Sequence, residues 1–357
     1  MSNLLAENEW DDKSQWFLGV SHEEWRAPVV QAFIPQQNTR ISNTAISGLS
    51  PFPHLGPMDA ASTGTGVQIG NSFTPWSTRG TWFLGYAGYG APTQFDSNSS
   101  MISSGSGPSM ITTSTTSLKP YYGPKLGRYS LGYNHDFFVF TMAQDNPNRF
   151  LAGLALRIGI LADYGILSMS SINQSTSVAS GAINITSSSY ESRTIKSALG
   201  TGYAVYGLHY ELPISRFQLY GDMTYYNGIG AGSLKESGTG INSILNISIP
   251  SPISLKHEYK TTAYGVGGKI GLAFSITDSL QIRASYSARN VTHQEKSVKT
   301  NDQQGLTALL LSGLVGGGGA SSNLARALVV NNLNDIGPIP SLNDNLRVTM
   351  LEFVYRF

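Results

Sequence analysis

The sequence predicts one all-β domain, an antiparallel up-and-down β-barrel of about ten strands (eight or twelve are the neighbouring solutions) that crosses a membrane. Three observations carry this. Stretch after stretch alternates large apolar residues with polar or small ones at period two, the mark of a strand whose faces meet different surroundings. The face rich in Leu, Ile and Tyr is consistently opposed by one carrying Gly, Arg, Gln and Asp. In lipid the apolar set must face outward, and closure of the barrel satisfies every backbone group. Connections also alternate in length. Tight turns near 75–79, 145–148, 212–215 and 276–279 interleave with long segments near 27–63, 91–124, 172–190, 237–254 and 299–344. Turns on one rim and long loops on the other is the arrangement of membrane barrels. A soluble sandwich or barrel has no need of it.

Composition narrows the rest. Charged residues make up 13% of the 357, about half the usual share, and the net charge is +1. With no basic excess to neutralise phosphates, nucleic acid is excluded as a partner. No stretch approaches the roughly 20 apolar residues of a membrane helix. Cysteine is absent, so neither disulfides nor thiolate metal sites are available. Residues 1–14 lack a charged region followed by an apolar core; they read as a short segment ahead of a barrel over 15–357, with any export signal outside this numbering.

Along the chain, QWFLGV from Gln15 puts Trp16, Leu18 and Val20 on one face. A long polar segment follows to about Ala61. Gly66–Phe73 is a weak strand and Thr81–Gly90 a strong one; 91–124 is almost pure Ser, Thr, Gly and Pro. Leu126–Phe140 then sets Tyr129, Leu131, Tyr133, Phe137 and Val139 against Arg128, Ser130, Asn134 and Asp136. After the DNPN turn (145–148), Leu154, Leu156, Ile158 and Ile160 oppose Arg157 and Asp163. Tyr206, Leu208, Tyr210 and Leu212 oppose His209 and Glu211; beyond a turn at Pro213, Phe217, Leu219, Met223 and Tyr225 oppose Gln218, Tyr220 and Asp222. Val266, Ile270 and Leu272 oppose Lys269, and Leu280, Ile282 and Tyr286 oppose Gln281, Arg283 and Arg289. Several strands exceed the roughly 9–11 residues needed to cross, so the barrel is expected to project beyond the bilayer.

The last strand, NLRVTMLEFVYRF (Asn345–Phe357), aligns Leu351, Phe353, Tyr355 and Phe357 on one face and Met350, Glu352, Val354 and Arg356 on the other. A terminal Phe preceded by aromatics at alternating positions resembles the closing strand of bacterial outer-membrane β-barrel proteins. The resemblance implies that Phe353, Tyr355 and Phe357 are the signal read by the outer-membrane assembly machinery. It also implies that the tight turns face the periplasm and the loops the exterior, and that outer-membrane lipid and lipopolysaccharide surround the barrel.

Inside, cations (Arg128, Arg157, Lys269, Arg283, Arg289, Arg356) balance acids (Asp136, Asp163, Glu211, Asp222, Glu352), which implies internal ion pairs rather than a one-signed selectivity ring. The hairpin at Pro213 is expected to bring His209 near Gln218 and Glu211 near Arg216. A His among carboxylates can serve hydrolysis, and barrel hydrolases exist, but the commoner role is a bracing network. No Ser-His-Asp set stands out, and the remaining histidines have no metal-ligand spacing. Neither metal nor cofactor is expected.

These features imply an outer-membrane channel or transporter for small molecules, apolar ones included; a non-catalytic surface or adhesion barrel is second and a barrel hydrolase third. The last long segment is the exception among polar loops. It holds Leu309, Leu310, Leu311 and Leu314, the run Gly316–Gly319, then Leu324 and Leu328 at helical spacing. Exposed apolar surface is unfavourable by roughly 25 cal/mol per Å². The segment is therefore expected to pack as a lid, to fold into the mouth as an apolar gate, or to contact a second copy or another partner.

Overall fold

The computed structural model describes residues 14–33, 61–74, 78–90, 102–104, 111–139, 153–179, 185–244, 247–302 and 341–357. They form β1 (Gln15–Arg26), β2 (Ser62–Phe73), β3 (Thr78–Tyr89), β4 (Ile102–Ser104), β5 (Ile111–Phe138), β6 (Leu154–Ala179), β7 (Ile185–Ile214), β8 (Phe217–Ile244), β9 (Ile247–Ser275), β10 (Leu280–Asp302) and β11 (Leu342–Arg356). A six-residue helix, α1, spans 28–33. Strands pair antiparallel in the order β3-β2-β1-β11-β10-β9-β8-β7-β6-β5, and β3 pairs with β5 to close a ten-stranded barrel. β4 is an addition, paired with Thr112–Ser114 at the upper end of β5.

The first and last described strands are neighbours in the barrel wall. β1 lies between β2 and β11, with Gln15 opposite both Ser72 and Arg356. The tight turns share one rim with both ends of the barrel. Ser215 and Arg216 link β7 to β8, and Ser215 takes a left-handed φ of 57°, as two-residue hairpins require at their first central position. Residues 276–279 link β9 to β10. The DNPN turn lies outside the described residues.

The outer surface is apolar in a band. Trp16, Leu18 and Val20 face outward beside Val67 and Ile69 of β2 and Leu351, Phe353 and Tyr355 of β11. Aromatic side chains edge this band on both sides. Near the turns, Trp16 meets Trp82 edge-on at 5.6 Å and Phe217 meets Phe274 at 4.9 Å. Toward the other rim, Tyr86, Tyr129 and Tyr164 stand side by side on β3, β5 and β6. From Phe137 up to Tyr129 is eight residues, ~27 Å along the strand at ~3.4 Å each. At a tilt of about 40° this spans about 21 Å across the membrane between the ring centres, so that with the rings themselves it reaches the roughly 25 Å apolar belt of membrane barrels.

The strands do not stop at the upper tyrosines. β6 continues from Tyr164 to Ala179, fifteen residues or ~50 Å further along the strand. Much of what reads in sequence as loop is ladder. The segment 172–190 contains the ends of β6 and β7, paired from Ile172↔Ser192 to Ala179↔Ile185. The segment 237–254 is the top of the β8–β9 hairpin, paired up to Ile244↔Ile247. β5 begins at Ile111, inside the stretch 91–124. Above the membrane both faces can be polar, so Ser and Thr in a hydrogen-bonded ladder look like solvated loop.

The first long segment also departs from expectation. Instead of remaining polar throughout, it opens with α1, which sits inside the upper barrel. Val29, Val30, Ala32 and Phe33 are buried against lumen-facing Leu126, Leu167, Leu199, Leu234, Tyr259 and Leu346. Pro28 occupies the first helical position, where its missing N–H costs nothing and its φ is already set. Side chains fasten the helix to the wall: Gln31 donates to Asn343 O (2.5 Å) and accepts from Asn343 N (2.9 Å), and Ser197 donates to Val29 O (3.1 Å).

Candidate functional site

The lumen is divided by two layers of charge, each built from strands whose inward rows carry ionisable groups. In the lower layer, Arg79, Asp136 and Arg157 are direct cross-strand neighbours on β3, β5 and β6. Arg157 holds Asp136 with Nε and Nη2 (2.6 and 2.8 Å) and Asp222 with Nη1 (2.6 Å). Arg79 reaches Glu211 at 2.5 Å and Asp136 at 3.5 Å. His209 faces a carboxylate with each ring nitrogen: Nε2 lies 2.8 Å from Glu211, and Nδ1 contacts Asp222. Gln218 donates to the second Glu211 oxygen at 2.8 Å.

Here the register corrects the sequence reading. With the turn at Ser215–Arg216, His209 is opposite Asp222 and Glu211 is opposite Tyr220, not Gln218 and Arg216. Gln218 reaches Glu211 diagonally, from opposite Pro213.

The upper layer lies beneath α1. Arg128 binds Glu23 (2.8 Å) and Asp163 (3.4 Å), and donates to the Tyr89 hydroxyl (3.1 Å), which itself bonds Glu23. Arg289 pairs with Asp163 and with Asp344 (2.7 Å), and Asp344 also accepts from the Trp25 indole (2.7 Å). The Arg289 guanidinium rests against the rings of Tyr203 and Tyr226 at 5.6 and 5.8 Å.

Sequence parity thus identifies Arg128, Asp136, Arg157, Asp163, His209, Glu211, Gln218, Asp222 and Arg289, which the fold gathers into these layers. Lys269, Arg283 and Glu352 line the lumen outside them, and Arg356 sits half-buried at the turn rim. Glu23, Arg79, Tyr89 and Asp344 are members that the alternation did not single out. Arg79 falls in TPWSTRG, within the stretch read as a turn, and Asp344 among asparagines at the end of the last long segment, where no two-face pattern shows. The gate candidates Leu309, Leu310, Leu311, Leu314, Leu324 and Leu328 lie outside the described residues. Among the described residues no group of His, Asp and Glu is arranged to hold a metal.

Between the layers lies a cavity of about 270 Å³, lined by Gln68, Ser130, Asn134, Tyr220, Thr224, Lys269 and Ser285 together with the inner ends of the ion pairs. The outside is apolar, the inside ionic and every barrel strand is paired on both sides, which is what a structure in lipid must satisfy. The chain is a β-barrel of the outer-membrane type.

No protein-family model matches the sequence, and neither does any curated protein. Among solved structures the barrel is similar to the outer membrane protease OmpT from Escherichia coli, at 10% identity over 97% of each chain and a TM-score of 0.35. It is also similar to the translocator domain of the autotransporter NalP from Neisseria meningitidis (8% identity, 97% of this chain and 88% of that one, TM-score 0.29). The toluene transporter TodX of P. putida matches at 6% identity over 97% and 90%, with a TM-score of 0.24. TM-scores this low carry neither site nor function across; the barrel assignment rests on strand pairing and on the chemistry of its two faces.

Proposed function

We propose that this barrel is a gated outer-membrane channel for small polar solutes, closed by α1 in the conformation described. The observation that supports it is the cavity of about 270 Å³ at membrane depth, lined by charged and amide groups interspersed with apolar ones and capped by an apolar plug made from the chain itself. Its size is near the lower end of the roughly 300–1,000 Å³ typical of ligand sites. The charged and amide groups among its lining would leave a wholly apolar solute facing unsolvated charge, which favours polar or amphipathic solutes over the apolar ones the sequence admits. The hydrolytic alternative is less well supported: both His209 nitrogens face carboxylates, and no Ser or Thr hydroxyl contacts the ring among the described residues. Adhesion would depend on segments that lie largely outside those described.

The test is single-channel recording in planar bilayers of the full chain and of a Val29→Asp, Phe33→Asp double variant. Carboxylates are strongly disfavoured in the apolar mouth, so α1 is expected to undock and open probability to rise several-fold. Heat-modifiable migration on gels checks that the variant barrel is folded. A folded variant that conducts no more than the parent chain overturns the reading.

A further inference from the structure

One side of the cavity is neutralised pair by pair; the other is not. On β8 to β11 three inward rows lie one above another: Asp222–Lys269–Ser287, Tyr220–Gly271–Ser285, and Gln218–Ala273–Arg283–Glu352. Tyr220 lies flat across β9 because its neighbour there is glycine. A Cβ on Gly271 would run into the phenol ring and its hydroxyl. Tyr220 is only 8% exposed, yet among the described residues its hydroxyl makes no well-formed hydrogen bond, Ser285 across Gly271 being the polar group beside it; buried hydroxyls rarely stay so.

Neither cation beside it has an ion pair among the described residues. Lys269 Nζ sits 5.6 Å from the centre of the Tyr220 ring and has no carboxylate within 4 Å among the described residues. Its cross-strand neighbour Asp222 is taken up by Arg157 and His209. Among the described residues Arg283 donates to neutral groups, Gln281 at 2.8 Å and Gln15 at 3.0 Å. Glu352, directly across from Arg283, also has no ion pair among the described residues.

We propose that Lys269, Arg283 and the Tyr220 hydroxyl form a binding site for the carboxylate group of a small solute. Two cations and a hydroxyl donor match the charge and the two acceptor oxygens of a carboxylate. The neighbouring Glu352 repels multiply charged anions, which favours a monocarboxylate over phosphate. The site deepens the channel reading, on which it rests for the route by which solute arrives.

The experiment follows line broadening of ¹³C-labelled acetate by the full-length barrel in detergent micelles, with inorganic phosphate as competitor. Saturable acetate binding is expected, weakened at least tenfold by Lys269→Met and about threefold by Tyr220→Phe. Arg347→Gln on the outer surface should leave it unchanged. Tyr220→Phe keeps the ring over Gly271 and removes one oxygen, so it decides the matter if the lysine variant misfolds. Acetate bound equally by the parent and both variants, non-saturable broadening, or phosphate displacing acetate at lower concentration than acetate itself would each overturn the site. Bilayer currents of the Val29→Asp, Phe33→Asp variant separate the two claims. Saturable binding without current upholds the site and sinks the channel; current without saturable binding does the reverse.

Discussion

Within the membrane belt, β7 and β8 show lipid Tyr206, Leu208, Met223 and Ile229 and turn His209, Glu211, Asp222 and Thr224 inward. Further up the same two strands the chemistry of the faces is exchanged. Ile195, Leu199 and Leu234 are buried inside against α1 and its surroundings, while Thr194, Lys196 and Lys235 are exposed outside. Parity is unbroken, because the inward residues of β7 are odd-numbered in both regions. What changes is the surroundings: lipid outside and polar groups inside below, water outside and a plug inside above. Period-two alternation therefore reports that two faces differ, and the solvent on each side decides which face is apolar.

The comparison is broken most forcefully from within the lower lumen. Asp136→Ala would leave Arg157 and Arg79 short of a buried carboxylate, with Arg157 still on Asp222 and Arg79 on Glu211. Removing one partner from a buried pair costs about 3–5 kcal/mol; denaturant unfolding of the refolded barrel should show a loss of this order, and a change under about 1 kcal/mol would mean that the layer is water-filled.

The outer faces give the next contrast. Ile160→Arg, near the middle of the apolar belt, should cost about 2–4 kcal/mol, whereas Thr194→Arg on the projecting wall should stay within about 0.5 kcal/mol. Equal costs in the same unfolding assay would erase the distinction between the two regions.

The smallest effect has the opposite sign. Lys196, Lys235 and Lys256 are exposed and directly opposite one another on β7, β8 and β9. Like charges so placed are unfavourable, and Lys235→Glu should stabilise by about 0.2–1 kcal/mol. The gain should shrink as salt is raised; a salt-independent change would assign it to packing instead.

What could be read from the sequence follows the same division. The lower strands were legible because lipid forces apolar residues outward at every second position. The upper extensions, such as SINQSTSVA in β6, were not, since water permits Ser and Thr on the outside and pairing leaves no trace in composition. Inward charges were recognised because face depends only on parity. Their partners depend on register, and moving the turn changes His209↔218 to His209↔Asp222, a shift of four. An even shift preserves every face and alters every pair. The plug escaped because APVVQAF (27–33) is too short to show helical periodicity, leaving Pro28 as its one local signal.

The length of β8 and β9, 28 and 29 residues joined through only 245–246, has a consequence for how a protease would meet this protein. A protease needs a stretch of backbone released from its own hydrogen bonds. Along this hairpin strand pairing runs unbroken from Phe217↔Phe274 to Ile244↔Ile247, with Pro250 and Pro252 bringing no amide to it. Amide exchange there should be slow well beyond the apolar belt, and limited proteolysis of the folded barrel should leave this hairpin whole.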